Sequence, residues 1–324
     1  AENNFQYDID RLVVKEAYCG KQIVMKKTLV SVIGPTAIGK TKLAIELANH
    51  FDTEIISADS RQFFKEMSIG TAVPSKKELA QARHHFIQHI SIFENYSVGD
   101  FERDAIDLIT SLFKQKDVLI LVGGSGLYVD AVTKGLDKFP KIDSEIRKDL
   151  NHRLEKNGIE DLQLDLKERD PGYYLKVDLS NPHRIIRALE VCIGTGRPYS
   201  SFLSLNEKTR NFNTVTVGLT AERQTIYDRI NQRVDLMIKE GLVEEVQALL
   251  KHEDLNALQT VGYKELFKYF KKEWDFDFAI SEIKKNTRRF AKRQITWFKK
   301  NEETLWYDYQ MSSKKIIKDI EKKL

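Results

Sequence analysis

Cysteine is nearly missing from these 324 residues; only Cys19 and Cys192 occur. Two thiols at that separation make neither a disulfide framework nor a zinc motif, so a reducing cytoplasm is the expected setting. No apolar run approaches the roughly eighteen residues of a membrane span, so no membrane partner is expected. A basic start, an apolar core and a small-residue cleavage site are all lacking at the N-terminus, so no secretory signal is expected. Internal repeats and low-complexity linkers are absent too. What remains is an ordinary globular make-up, 41% hydrophobic and 31% charged, long enough for one large domain or two smaller ones. The net charge of +4 says little by itself. Its distribution says more: Lys284, Lys285, Arg288, Arg289, Lys292, Arg293, Lys299 and Lys300 face a single acid, Glu282, between Ser281 and Lys300. Such a cluster attracts phosphates even when the whole chain is near neutral.

Residues 1–25 are polar and irregular and read as an extension outside the fold. Leu29–Ile33 has the short, apolar, β-branched character of a buried strand, and a glycine-bounded loop and a helix over Lys40–Asn49 follow. Glu54–Ala58 reads as a second strand. Ser97 is a candidate N-cap for a helix reaching Lys116, with Phe101, Ala105, Leu108, Ile109 and Leu112 on one face. Val118–Val122 is another buried strand. Alternating strands and helices imply an α/β fold with a parallel sheet flanked by helices. From about 137 to 211 the chain is charged and helical, with no convincing strand, and strand character returns at Thr214–Leu219. The expected layout is a discontinuous α/β core, 26–136 and 212–324, interrupted by a helical insertion at 137–211. From Glu222 the chain is expected to be helical to its end.

The sharpest motif is Gly34-Pro35-Thr36-Ala37-Ile38-Gly39-Lys40-Thr41, which fits the phosphate-loop pattern G-x-x-x-x-G-K-[ST] between a strand and a helix. Glycines let the backbone turn tightly and aim N–H groups inward, and the helix N-terminus adds partial positive charge. Lys40 supplies a full charge, and Thr41 can hold a magnesium ion. A chance glycine-rich turn is the bland alternative. The pattern points to di- or triphosphate binding and not to ATP hydrolysis. An ATPase would place a carboxylate on a later strand to hold magnesium. Here strand 118–122 runs into Gly123-Gly124-Ser125-Gly126, with no acid. Asp59 instead follows the second strand, at the end that faces the ligand crevice of a parallel sheet. Position alone leaves it a base, a helix cap or an outer neighbour of magnesium.

Several blocks together resemble the tRNA dimethylallyltransferases, also called tRNA isopentenyltransferases. They are the phosphate loop, Ile56–Gln62, Ile69–Ala72, His84–Phe86, Val122–Tyr128, Asn181–Glu190, Val261–Lys264 and Ala291–Phe298. They run in order along nearly the whole chain, and the Ala-Lys-Arg-Gln-Ile-Thr-Trp block is the most specific. The resemblance implies a P-loop NTPase-like fold and transfer of a dimethylallyl group from dimethylallyl diphosphate to an adenine beside the anticodon. It makes Asp59 the base that takes the amine proton, with Lys40, Thr41 and magnesium on the departing diphosphate. Asp59, Ser60, Arg61 and Gln62 match the segment that contacts the target base, and Ser125 stands where threonine is common. Arg147, the run His183, Arg184, Ile185, Ile186, Arg187, and the run Gln259, Thr260, Val261, Gly262, Tyr263, Lys264 match tRNA-contacting segments.

Arg184 and Arg187 share a helix face and are candidates to clamp pyrophosphate or backbone phosphate; surface ion pairs are the alternative. The chain departs from the family pattern at Ile38, Phe63-Phe64 and Val73, none of which removes a group assigned to the chemistry.

Helical spacing puts Ile283, Thr287, Phe290, Gln294 and Trp297 toward the core, leaving Lys285, Arg289, Lys292, Arg293 and Lys300 for an RNA backbone. An ordinary solvated face is the bland alternative. The target adenine must leave its stack to reach Asp59, and Phe63, Phe64 and Tyr263 are candidates to stack on it. The expected partner is a tRNA anticodon stem-loop, and the resemblance favours a monomer. Competing readings are an isopentenyltransferase for free adenylate, a P-loop kinase or ATPase, and a non-catalytic RNA-binding protein.

Overall fold

The computed structural model describes residues 26–203 and 209–324, so the extension expected at 1–25 lies outside the described residues. In chain order the elements begin with β1 (Thr28–Ile33), α1 (Lys40–His50), β2 (Ile55–Ser57), α2 (Lys76–Leu79) and β3 (His84–His85). Next come α3 (Val98–Leu112), β4 (Val118–Val122), α4 (Gly126–Thr133), α5 (Ser144–Asn157), α6 (Ile159–Arg169), α7 (Pro171–Tyr174) and α8 (Pro182–Thr195). The chain then runs through β5 (Asn213–Thr220), α9 (Arg223–Lys239), α10 (Leu242–Ala248), α11 (Tyr263–Phe270), α12 (Phe276–Phe298), β6 (Leu305–Asp308) and α13 (Ser313–Glu321).

The strands form one sheet in the order β3-β2-β4-β1-β5-β6, with every pair parallel. β1 lies between β4 and β5, with Thr28 opposite both Val118 and Asn213, and all six of its residues are buried. Strands covered on both faces read as continuous apolar runs, and β1 and β4 do. α1 packs Leu43, Ala44, Leu47 and Ala48 into the same core. α3 begins at a capping box: the Ser97 hydroxyl accepts from the Asp100 N–H, and the Asp100 carboxylate accepts from the Ser97 N–H. It buries Phe101, Ala105 and Ile109, while Leu108 and Leu112 stay half-buried.

Two strands escape the sequence reading. β3 has only two residues, and β6 interrupts the stretch after Glu222 that was expected to be wholly helical. β6 pairs Leu305–Asp308 with Val217–Thr220, a partner far back in the chain that local periodicity does not reveal. The described residues divide into two compact units, 26–129 with 211–324, and 130–203 with 209–210. The break falls inside α4 at Val129/Asp130, upstream of the boundary expected at 137. The second unit is helical, and α5, α6 and α8 close over Leu150, Leu162, Leu166, Ile185, Ile186 and Leu189. No helix among the described residues is long and apolar enough to cross a membrane.

Candidate active site

The phosphate loop joins β1 to α1, and its shape depends on left-handed backbone at Gly34, Ala37 and Gly39 (φ 144°, 62° and 107°). At Gly34 a Cβ would lie 2.6 Å from the Leu219 carbonyl oxygen, so the loop also sits tightly on β5. Gly39 caps α1 without a side-chain acceptor, which leaves the first-turn N–H groups open to an anion. The Lys40 ammonium donates to the Pro35 carbonyl at 2.8 Å. Gln294, on α12, ties the loop to the neighbouring strand end: its Oε1 accepts from the Thr36 N–H at 2.9 Å, and its Nε2 donates to the Gly124 carbonyl at 2.8 Å.

Two arginines complete the cradle. Arg229 Nε donates to the Ala37 carbonyl at 2.8 Å, and Arg233 reaches the Thr36 hydroxyl at 3.5 Å. Neither was named from sequence. The available signal was their i, i+4 spacing on a helix that follows a strand pointing its carboxyl end at the loop.

Asp59 leaves β2 beside this cradle and accepts the Arg61 N–H at 3.2 Å. Ser60 bonds the Ser125 hydroxyl through both its N–H and its own hydroxyl, each at 3.2 Å. Gly123 sits so close that a Cβ there would meet the Ala58 carbonyl oxygen at 2.4 Å. That packing gives the glycine pair after β4 a steric reason. Arg61 donates to the carbonyls of Asn256 and Ala257, and Gln62 to those of Thr71 and Ala72. Glu245, also missed from sequence, holds the same wall: its carboxylate accepts the N–H groups of Ser68, Ile69 and Gly70 and the Tyr263 hydroxyl.

Two cavities open here. One, of about 410 Å³, runs along the phosphate loop to Gln62, Pro74, Glu78, His84, Arg229, Arg233 and Leu236. The other, of about 670 Å³, is walled by Ser60, Arg61, Ser125, the 259–262 turn, Lys264, and the α12 residues Ile283, Asn286, Thr287 and Arg293. Thr36, Ala37, Asp59, Thr71, Ala72, Arg233 and Phe290 line both, so the carboxylate stands where the cavities meet. Burial raises the Asp59 pKa above the ordinary carboxylate value, against the pull of Lys40, the Arg61 N–H and Arg233. Burial lowers Lys40 to about 8, with Asp59 opposing and Arg233 adding to the drop. The cleft therefore holds a base stronger than a free carboxylate and cations poorly matched by protein anions.

The phosphate loop, Asp59–Gln62, Ser125, Gln259–Gly262, Lys264 and Arg293 come together around this cleft. Arg289 and Lys292 stand exposed on α12. Some expectations need correcting. Tyr263 is 0% exposed and donates to Glu245, so it is no stacking platform; Phe63 and Phe64 are buried in the core as well. The buried stripe of α12 is Ala279, Ile283, Ala291, Gln294 and Phe298, whereas Phe290 is exposed and Thr287 and Trp297 are half-buried.

In the second unit His183 and Arg184 are exposed, but Ile185 and Ile186 are core residues whose side chains are not free to touch RNA. Arg147 and Arg187 both bond Glu190, and Arg187 also lies 5.1 Å from the Phe139 ring centroid. The arginines that hydrogen-bond the phosphate loop are Arg229 and Arg233.

Comparison with known proteins places the chain in a family. The sequence model described as IPP transferase matches residues 62–301. A tRNA dimethylallyltransferase of Christiangramia forsetii is 61% identical over 93% of this chain and 99% of its own. One of Flavobacterium psychrophilum is 57% identical over 91% and 98%. The crystal structure of a tRNA isopentenylpyrophosphate transferase from Bacillus halodurans superposes with a TM-score of 0.67 at 37% identity, covering 92% of this chain and 95% of that one.

Proposed function

The chain belongs to the IPP transferase family, and from that membership we propose how its cleft works. It transfers the dimethylallyl group of dimethylallyl diphosphate to the N6 amine of the adenine at tRNA position 37, beside the anticodon, and releases pyrophosphate. The observation that carries the assignment of parts is the junction: Asp59 borders both the phosphate cavity and the larger cavity beyond it. The diphosphate sits in the loop, facing the open N–H groups of α1, Lys40, Arg229 and Arg233. Adenine enters from the other side, swung out of its stack.

The amine lone pair forms the N–C bond to the allylic carbon as the C–O bond breaks and its electron pair leaves with the diphosphate. Asp59 takes the amine proton. Its raised pKa makes the ionised form a better proton acceptor than a free carboxylate. Fixed N–H groups and cations meet the charge on the leaving group without reorganising. The basic face of α12, with Arg289, Lys292 and Arg293, meets the RNA backbone.

Thr41 fits a magnesium ion: the residue lines the phosphate cavity, and its hydroxyl has no hydrogen-bond partner among the described residues. No cluster of three or more His, Cys, Asp or Glu able to hold a metal exists among them, which suits an ion carried mainly by phosphate oxygens and water. When bound, magnesium would neutralise charge on the diphosphate.

Mass spectrometry of an anticodon stem-loop incubated with dimethylallyl diphosphate tests the proposal. A gain of one prenyl group on the adenine is expected, with none on free AMP. Prenylation of AMP alone would overturn it.

A further inference from the structure

We propose that Phe290, backed by Leu236, is the apolar stop that measures the prenyl tail of the diphosphate substrate. The inference rests on the function proposed above and names a specificity determinant within that site. Among the large apolar side chains that stand exposed in the described residues, only Leu236 and Phe290 line the phosphate-side cavity. Phe290 is also the one large apolar side chain that borders both cavities. Its companions at the junction are polar (Thr36, Asp59, Thr71, Arg233) or small (Ala37, Ala72). A tail whose diphosphate is held in the loop must present its first carbon beside Asp59, and therefore at this junction. The only hydrocarbon surface of any size waiting there is the Phe290 ring.

The neighbouring helix supports the same occupant. Arg229, Arg233 and Leu236 follow i, i+4, i+7 spacing on α9 and share one stripe. Two cations followed by an apolar side chain repeat the order of the ligand, a diphosphate followed by a hydrocarbon. α9 packs against α12, which carries Phe290. The Arg293 guanidinium lies 5.7 Å from the Phe290 ring centroid, a cation–π contact that steadies the ring. An aromatic face beside the allylic carbon also favours the positive charge that develops there as the C–O bond breaks. The expected consequence is that a five-carbon tail is accepted and a ten-carbon one is obstructed.

The experiment compares kcat/KM for dimethylallyl and geranyl diphosphate, with one anticodon stem-loop as acceptor. It uses the wild type, Phe290→Ala, Phe290→Trp and Leu236→Ala. The electron flow is the same for both donors: the amine–carbon bond replaces the carbon–oxygen bond and pyrophosphate leaves. The wild type should strongly prefer the short donor. Phe290→Ala should relax that preference by roughly 10- to 100-fold, the scale on which apolar pockets discriminate chain length. Leu236→Ala should relax it less. Phe290→Trp should lower kcat/KM for dimethylallyl diphosphate by about tenfold while pyrophosphate affinity, read by calorimetry, stays unchanged. An unaltered preference in Phe290→Ala would overturn the inference. So would a rise in stem-loop KM as its sole effect, since the ring would then serve the base. A wild type that transfers neither donor would sink the proposed function itself, a result distinct from an active wild type with indifferent variants.

Discussion

Arginines of the helical unit and arginines of the cleft are used in opposite ways. In the helical unit three carboxylates are matched to guanidinium: Arg153 bonds Asp161 and Asp165, Arg169 bonds Asp165, and Glu190 accepts from both Arg147 and Arg187. Around the cleft, Arg61, Arg229 and Arg233 form no ion pair among the described residues. Arg61 and Arg229 donate to backbone carbonyls and Arg233 to a hydroxyl. A carbonyl or hydroxyl orients a guanidinium but does not neutralise it. Paired arginines brace a scaffold, while unneutralised ones hold a positive field for an incoming anion. Asp59 is the largest electrostatic partner of Arg233, ahead of Glu78 and Glu240, and it also feels Lys40 and Arg61.

Removing that carboxylate is the most severe way to break the cleft side of the comparison. Asp59→Asn keeps the shape and loses the proton acceptor. Transfer should fall by roughly 10²- to 10⁴-fold, with stem-loop affinity, read by filter binding, nearly unchanged. Retained activity would remove Asp59 as the base. Arg233→Met comes next. It deletes a cation and keeps the apolar stem, and dimethylallyl kcat/KM should drop about 10²- to 10³-fold, as for other preorganised donors to a leaving group.

The same variant sharpens the electrostatics. In the free enzyme Lys40 loses its proton with a pKa of about 8, so wild-type kcat/KM should decline as pH rises past that value. On the acid side it should decline as pH falls through the raised pKa of Asp59. Arg233 pushes both values down. Without it both limbs of the pH profile should move to higher pH. A fixed profile would show that the field does not reach Lys40 and Asp59.

Legibility in the sequence followed the same divide between local and assembled features. The phosphate loop is eight consecutive residues with strand before and helix after, so both its chemistry and its place were readable. Asp59 was readable as a candidate because it follows a strand at the ligand end of the sheet. Arg229, Arg233 and Glu245 act through contacts to residues far away in the chain, and the i, i+4 spacing of the two arginines is the sole local mark; Gln294 was readable as core-facing, but its bonds to Thr36 and Gly124 were not. α12 shows a subtler failure. Helical periodicity chose Ile283, Thr287, Phe290, Gln294 and Trp297 as one core-facing stripe, yet Ile283, Asn286, Thr287, Phe290 and Arg293 line the second cavity. A helix wall of a substrate cleft and a helix face against a core both carry apolar residues at the same spacing. Pattern alone does not separate them.

The smallest expected effect tests the scaffold side. Glu190→Gln removes the charge that two arginines share while keeping the volume of the side chain. The Glu190 side chain is 9% exposed, whereas those of Arg147 and Arg187 are 49% and 39% exposed. Breaking a fully buried pair costs about 3–5 kcal/mol. Here water still reaches both guanidiniums, so a loss of about 1–3 kcal/mol is expected, read from hydrogen exchange of the α8 amides. Pyrophosphate affinity should stay within about twofold, because no group of the cleft is touched. If the variant instead keeps its stability and weakens pyrophosphate binding, the division between bracing and anion-holding arginines fails. Arg147 and Arg187 would then have to be counted with Arg229 and Arg233.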